Sequence, residues 1–300
     1  MKAMILAAGK GTRLRPLTLT RPKALMPIAN RPVIKGIIEY LKKHGVTEIV
    51  VNAHHLSDHI VKYLGGGKPF GVKIEVKFEP EILGTGGGIK NTSGFWGTEP
   101  FLVINSDIIT DLDLTHAINA HTQMGNIVTL VLHDYEPYNK IKVDEDLKIV
   151  EIPYNCRPDR LAFTGIHIIS PELLGFIPEG GYSDIIECYR QLIRSENQIG
   201  AYVANDFYWM DIGTIEDYMR ANKEALKGSS FLVPENCTID NRVTLEDWVV
   251  IGDNCLLEEG ADVRRSILWD KVEVKRGVKI IDSVITSSKK VTSDIVSGVL

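Results

Sequence analysis

Up to about residue 227, short β-branched runs alternate with stretches whose apolar positions recur at helical spacing. Residues 2–7, 48–53, 73–78, 101–104 and 126–132 read as strands, being short and rich in Val and Ile. Residues 32–44 place Ile34, Ile37, Ile38 and Leu41 on one face, begin with Pro32 at a first-turn position and stop at Gly45, which predicts a helix. This alternation predicts an α/β fold with a doubly wound, mostly parallel, Rossmann-like sheet, whose ligands lie outside the carboxyl ends of the strands. After Lys227 the pattern changes, with Gly228-Ser229-Ser230 as a short linker and a domain boundary between residues 228 and 229. Val233, Ile239, Leu245, Ile251, Leu257 and Val263 recur every six residues, and Cys237, Val243, Val249, Cys255, Ala261 and Ile267 keep the same interval. Two such rows in phase are the mark of a small parallel β-helix over residues 229–300. The rows resume one residue early at Leu268, Val274 and Ile280 and at Val272, Val278 and Val284, which predicts a turn shortened by one residue near Trp269.

Composition narrows the function classes. The 300 residues carry 34 Lys and Arg against 39 Asp and Glu, a net charge of -5 that offers no general attraction to a nucleic-acid backbone. No apolar run reaches the roughly 18 residues of a membrane span, and Met1 to Ala8 reads as a buried first strand, so no membrane partner is expected. Cys156, Cys188, Cys237 and Cys255 form no Cys-x-x-Cys pair, which argues against a disulfide framework or a thiolate zinc site and for a reducing, cytoplasmic setting. The open edges of a short coil predict a homo-oligomer formed through the β-helix.

Chemistry concentrates where the first strand ends, in Leu6-Ala7-Ala8-Gly9-Lys10-Gly11-Thr12-Arg13-Leu14-Arg15-Pro16-Leu17-Thr18. Gly9 and Gly11 let backbone N–H groups approach an oxyanion with no Cβ in the way, while Lys10, Arg13 and Arg15 add charge and bidentate donors. The segment reads as a phosphate grip, although the two glycines alone would equally suit a tight strand-to-helix turn. It fits neither the Walker A loop nor the dinucleotide fingerprint, because Leu14 stands where the last glycine of the latter belongs.

That run, followed by Arg21-Pro22-Lys23-Ala24-Leu25-Met26-Pro27, resembles the signature of the sugar-1-phosphate nucleotidyltransferases, also called NDP-sugar pyrophosphorylases. Gly84-Thr85-Gly86-Gly87-Gly88 resembles the family's nucleotide-side glycine loop, here followed by a helical pattern from Ile89. Asn105-Ser106-Asp107 and Trp209-Met210-Asp211-Ile212-Gly213 resemble its two metal-aspartate motifs, and a left-handed hexapeptide coil recurs in many members. The resemblance implies that residues 1–228 catalyse transfer of a nucleotidyl group from a nucleoside triphosphate to a sugar-1-phosphate. It implies nucleotide contacts from Leu6, Ala7, Ala8, Gly9, Gly11, Thr12, Gly86, Gly87 and Asp107, with Arg13 holding the leaving pyrophosphate and Lys23 bridging phosphates. Asp107 and Asp211 would together hold Mg²⁺, which takes carboxylates and phosphate oxygens.

The chain also departs from the family pattern. Glu151-Ile152-Pro153 stands where many members have Glu-Lys-Pro, and Phe163-Thr164-Gly165-Ile166 replaces the Asn-Ala-Gly sugar step. Lys140, Lys142, Arg157 and Arg160 are the candidates to replace the missing lysine. Ala7-Ala8-Gly9 resembles uridylyl and thymidylyl enzymes, whereas residues 83–90 and the Trp-Met-Asp-Ile-Gly ending with its coil resemble guanylyl enzymes, so the expectation leans to GTP and a mannose-type sugar. A non-catalytic NDP-sugar sensor and a cytidylyltransferase are the competing readings. An acyltransferase in the coil lacks a histidine, since residues 231–300 contain none. His54, His55, His59, His116 and His121 are expected at the surface or at helix caps, Tyr63, Trp96, Tyr138 and Tyr182 in packing, and Glu187, Arg190 and Arg194 on a solvated helix face.

Overall fold

The computed structural model describes residues 1–136, 138–155, 159–195 and 199–300. The chain divides into two compact units, one of Met1–Lys10 with Ile34–Met210, the other of Gly11–Val33 with Asp211–Leu300.

The first unit is built on a seven-stranded sheet. From edge to edge its strands are Ile199–Val203, Val128–His133, Ala162–Ile169, Phe101–Asn105, Lys2–Leu6, Glu48–Ala53 and Lys73–Phe78. Only Ala162–Ile169 runs antiparallel to its two neighbours, pairing Ile166 with Ile104 and Ala162 with His133. The five strands read from the sequence are present within a residue or two, so the α/β, mostly parallel expectation holds for this unit. Ala162–Ile169 and Ile199–Val203 were not expected. Central strands are apolar on both faces, as in Val128–His133, where all six residues are buried. Helix α1, Val33–Lys43, ends as expected at Gly45, whose φ of 79° lets its N–H reach the Lys42 carbonyl while the Val46 N–H reaches that of Leu41. The chain adds strands on one side of Lys2–Leu6 and then crosses to Phe101–Asn105 on the other, so the topological switch point lies between the carboxyl ends of these two strands. Those ends carry Ala7-Ala8-Gly9 and Ser106-Asp107.

In the second unit, the segment Gly11–Val33 holds three 3₁₀ turns, Thr12–Leu14, Leu17–Leu19 and Lys23–Leu25, and a two-stranded hairpin pairing Pro27 with Pro32. Helix Ile215–Ala225 follows a reciprocal cap between Thr214 and Asp217. The rest is a stack of short parallel strands. Thr238 pairs with Leu256, 18 residues on, and Leu256 with Glu273, 17 residues on. The apolar rows meet inside: Val249, Cys255, Leu257, Val263, Val274 and Ile280 belong to one buried cluster. Val233, the first of its row, is an exception at 39% exposed. The one-residue slip is not in a turn near Trp269. It lies within a strand pair, because Glu246 faces Arg264 but Val249 faces Ser266.

Cys188 and Cys255 are buried free thiols and Cys237 is half-buried, while Cys156 lies outside the described residues. Among the described residues no helix is long and apolar enough to cross a membrane.

Candidate active site

In the first unit the end of strand Lys2–Leu6 is fixed by a polar relay. Leu6 is half-buried, Ala7 and Ala8 are buried, and the Ala7 N–H donates to Asn52 Oδ1 at 2.8 Å. Asn52 Nδ2 donates to Glu79 Oε1 at 2.8 Å, and Glu79 Oε2 accepts from the Leu83 N–H at 3.2 Å. Asn52 and Glu79 are 2% and 0% exposed, so this chain runs through the interior from the first loop to the start of the glycine-rich segment. Sequence reasoning missed both residues. The available signal was a polar residue in an apolar strand and an acid directly after another strand.

The glycine-rich segment is not a loop. Helix α2 spans Gly84–Asn91 and takes in all four of its glycines, each a poor helix former. Packing overrides propensity here. A Cβ on Gly86 would stand 2.8 Å from Ser183 Oγ, one on Gly87 2.8 Å from the Gly181 carbonyl and one on Gly88 2.7 Å from Asn52 Nδ2. The Ser183 carbonyl accepts from the Gly86 and Gly87 N–H groups at 2.8 and 3.2 Å, so the helix start is capped by protein. Asp107 sits half-buried in the turn after strand Phe101–Asn105, and the preceding Ser106 N–H donates to the Leu6 carbonyl at 3.1 Å. The turn and the first loop are therefore neighbours at the switch point.

Gly9, also in the first unit, is exposed, has ordinary backbone angles and has no neighbouring atom where a Cβ would stand. The fold gives no reason for glycine there. Gly11, in the second unit, differs: its φ is +60°, a Cβ would meet Thr18 Cγ2 at 2.8 Å, and its carbonyl accepts from Thr18 Oγ1. Thr12, Arg13 and Arg15 are exposed. Arg13 lies against Gly213, where a Cβ would stand 3.0 Å from Nη1, and Lys23 Nζ is 3.8 Å from Asp211 Oδ1. The second unit thus gathers Arg13, Lys23, Asp211 and Gly213 from two motifs far apart in the chain. An exposed guanidinium at Gly213 and a half-buried ammonium beside Asp211 can grip a polyphosphate. Among the described residues no group of three or more His, Cys, Asp or Glu is placed to hold a metal. A Mg²⁺ ion held by one or two carboxylates and completed by substrate phosphates needs no such group, and each unit carries a carboxylate with the hard oxygens it takes, Asp107 in the first and Asp211 in the second.

Several candidates are structural. His121, expected at the surface or at a helix cap, is buried between Thr129 Oγ1 and Ser170 Oγ, and burial lowers its pKa to about 4. His54 Nδ1 meets the Glu79 carbonyl, and His116 is exposed. Trp96 stacks on Phe101 at 3.7 Å and Tyr63 tilts against Phe70, both packing, while Tyr182 is 72% exposed. Tyr138 stacks on Tyr135 in a cluster with His133, Phe207 and Trp209. Arg190 does not stand on a solvated face: it donates to the Ile152 carbonyl at 2.6 Å, pairs with Glu187 and covers the Tyr154 ring. Of the four substitutes for the missing lysine, Arg160 is buried and engaged by Glu151 at 2.8 Å and Asp159 at 3.6 Å. Lys142 is exposed, Lys140 is half-buried, and Arg157 lies outside the described residues.

Residues 2–228 match the family described as nucleotidyl transferase. The chain is 31% identical over 339 residues to a UTP--glucose-1-phosphate uridylyltransferase of Synechocystis, covering 95% of this chain and 87% of that one. It is 30% identical over 306 residues to mannose-1-phosphate guanylyltransferase 1 of Arabidopsis thaliana, covering 93% and 82%. A crystal structure of a putative glucose-1-phosphate thymidylyltransferase from Bacillus anthracis superposes with a TM-score of 0.66 at 25% identity, covering 75% of this chain and 95% of that one. The family match spans most of the chain and the relatives agree on the reaction while differing in base and sugar: the chain belongs to the nucleotidyl transferase family and is an enzyme of its sugar-1-phosphate nucleotidyltransferase group.

Proposed function

We propose that the chain joins GTP and a manno-configured sugar-1-phosphate to give a GDP-sugar and pyrophosphate. The observation that carries the nucleotidyl-transfer reading is the gathering of Arg13, Lys23 and Asp211 in one compact unit. A phosphate oxygen of the sugar attacks the α-phosphorus, and the bond to the oxygen bridging to the β-phosphate breaks, releasing pyrophosphate. Both reactants are anions, so the protein's work is neutralising charge and aligning the two. Arg13 takes the departing pyrophosphate with its two-pronged guanidinium, and Lys23 supplies a point charge between the reacting phosphates. Gly9, with the space beside its Cα open, lets a phosphate approach the backbone of the first loop. Gly86, Gly87 and the buried Ala7 and Ala8 form the nucleotide side of this reading. Mg²⁺ held by Asp107 and Asp211 would supply further charge neutralisation and in-line alignment.

The lean to GTP and mannose is supported by the Arabidopsis relative and by the C-terminal stack, which we read as a left-handed β-helix that makes a homo-oligomer. We place the catalytic domain at residues 1–228, which contain the family match over residues 2–228, and the whole chain in the cytoplasm on small-molecule substrates. Uridylyl transfer is the second reading, favoured by Ala7-Ala8 and by the Synechocystis relative. Pyrophosphate release with Mg²⁺ across a grid of five nucleoside triphosphates against mannose-, glucose-, N-acetylglucosamine- and heptose-1-phosphate, with Asp107→Asn as the blank, tests this. One productive pair that vanishes in the variant fixes base and sugar. Silence across the grid with NDP-sugar still bound would replace the enzyme reading of substrates with that of a sensor.

A further inference from the structure

Lys23 lies on a segment held at both ends, and one residue of the C-terminal stack touches both holds. On the upstream side, the Arg21 guanidinium covers the Trp269 ring at 4.5 Å from its centre, approaches Asp270 Oδ2 at 3.9 Å and donates to Ser287 Oγ at 3.2 Å. On the downstream side, the Pro27 carbonyl accepts from the Tyr218 hydroxyl at 2.8 Å, and that hydroxyl in turn accepts from Trp269 Nε1 at 2.8 Å. Just beyond, Asn222 Oδ1 accepts from the Ala29 N–H at 3.0 Å, and Asn30 Nδ2 donates to the Ile251 carbonyl at 2.7 Å. Tyr218 and Asn222 are fully buried and Trp269 is 2% exposed. Every one of these groups belongs to the second compact unit.

We propose that Trp269 and Arg21 are positioning residues for Lys23: the strand stack is the seat of the phosphate-gripping segment as well as a C-terminal appendage. This rests on the reading of Lys23 as a phosphate ligand. The buried ring of Trp269 fixes the half-buried Arg21, two residues before Lys23, by a cation–π contact. Its N–H fixes the orientation of Tyr218 and so the carbonyl of Pro27, four residues after Lys23. Between the holds, the turn at Lys23 has its own amide reporters: Leu25 N–H to Pro22 O at 2.8 Å and Met26 N–H to Lys23 O at 3.1 Å. Releasing one hold leaves the Lys23 ammonium in place chemically but spreads its position, and misplacement of about 1 Å at a reacting centre can lower rate by roughly a hundredfold.

The test uses the full chain with Arg21→Met, Arg21→Lys and Trp269→Phe, the last keeping the ring and losing the N–H. Hydrogen exchange without ligand is read at Leu25, Met26 and Ala29 against Val249 and Ile251 in the stack. In Arg21→Met and Trp269→Phe the first three amides should exchange at least tenfold faster while the stack amides stay as in the parent. The kcat should fall about tenfold in Arg21→Met with KM for the nucleotide changed less than twofold, and Arg21→Lys should recover most of it. Unchanged exchange at the three amides in both variants overturns the inference, as does a fall confined to KM. Faster exchange at the three amides in the variants, when the parent itself shows no pyrophosphate release, would leave the seating in place and sink the functional reading instead, so the two failures are distinguishable. Should Arg21→Met not fold, Trp269→Phe, a smaller change, decides alone.

Discussion

The relay between Ala7 and Leu83 has a parity that makes it sensitive to a single atom. Its two ends are backbone N–H groups, both donors. Asn52, between them, offers one acceptor and one donor, so the remaining member must accept on both sides, which a carboxylate does and an amide does not. In Glu79→Gln the shape is kept but one donor faces another. Turning the glutamine moves the conflict from Leu83 to Asn52, and turning Asn52 as well moves it to Ala7, so no arrangement removes it. A buried donor left unpaired costs about 1–3 kcal/mol, and Asn52 and Glu79 are 2% and 0% exposed, which places the expected loss near 2 kcal/mol. The double variant Asn52→Asp with Glu79→Gln restores the count: Ala7 N–H and the glutamine amide both donate to the new carboxylate, and the glutamine oxygen accepts from Leu83. Urea unfolding at constant m-value measures this. A Glu79→Gln chain within about 0.5 kcal/mol of the parent, or a double variant no more stable than either single one, would refute the reasoning.

Burial lowers the pKa of His121 to about 4 and of His167 to about 3, so the folded chain keeps both neutral while the unfolded chain protonates them below its ordinary 6.5. Stability should therefore fall as pH drops below about 6.5, by up to about 1.4 kcal/mol per pH unit for each histidine, and His121 ceases to contribute below about pH 4; urea midpoints at pH 7 and pH 5 that coincide would exclude this. Gly9→Ala should leave stability unchanged and weaken nucleotide binding, whereas Gly11→Ala should lower stability by about 1–2 kcal/mol through its left-handed backbone, read as two separate shifts in unfolding and titration curves. Helix propensity alone predicts that Gly87→Ala stabilises α2 by up to about 1 kcal/mol, but the Gly181 carbonyl 2.8 Å from the new Cβ should reverse the sign, which a melting curve decides.

What the sequence disclosed follows from what each signal depends on. The hexad rows were legible because two of them kept one interval over many repeats, a property of the chain alone. Placing the slip was not, since the rows show only that phase changes between Val263 and Leu268, whereas pairing locates it opposite Asp247 and Trp248. Strand Ala162–Ile169 was hidden because its Phe163-Thr164-Gly165 start drew attention as a sugar motif, and because an antiparallel partner needs no crossover helix to announce it. The glycines of α2 read as a loop because composition cannot show Ser183 and Gly181 closing on them. Arg13, Lys23, Asp107 and Asp211 were named from their motifs, but Asn52 and Glu79, which hold the first loop, and Tyr218 and Trp269, which hold the Lys23 segment, lie far away in sequence and belong to no motif.

The second unit is discontinuous: the chain enters it at Gly11, leaves after Val33 and returns at Asp211. That has a genetic consequence. A single recombination event near residue 210 that grafted the C-terminal third of one relative onto another would import Tyr218, Asn222 and Trp269 while leaving behind the Arg21, Pro27 and Ala29 that they hold. Viable chimaeras would need two crossovers or later repair in the short N-terminal stretch, and drift at either locus is constrained by the other. For library design, the heritable module is the pair of stretches Gly11–Val33 and Asp211–Leu300, to be exchanged together.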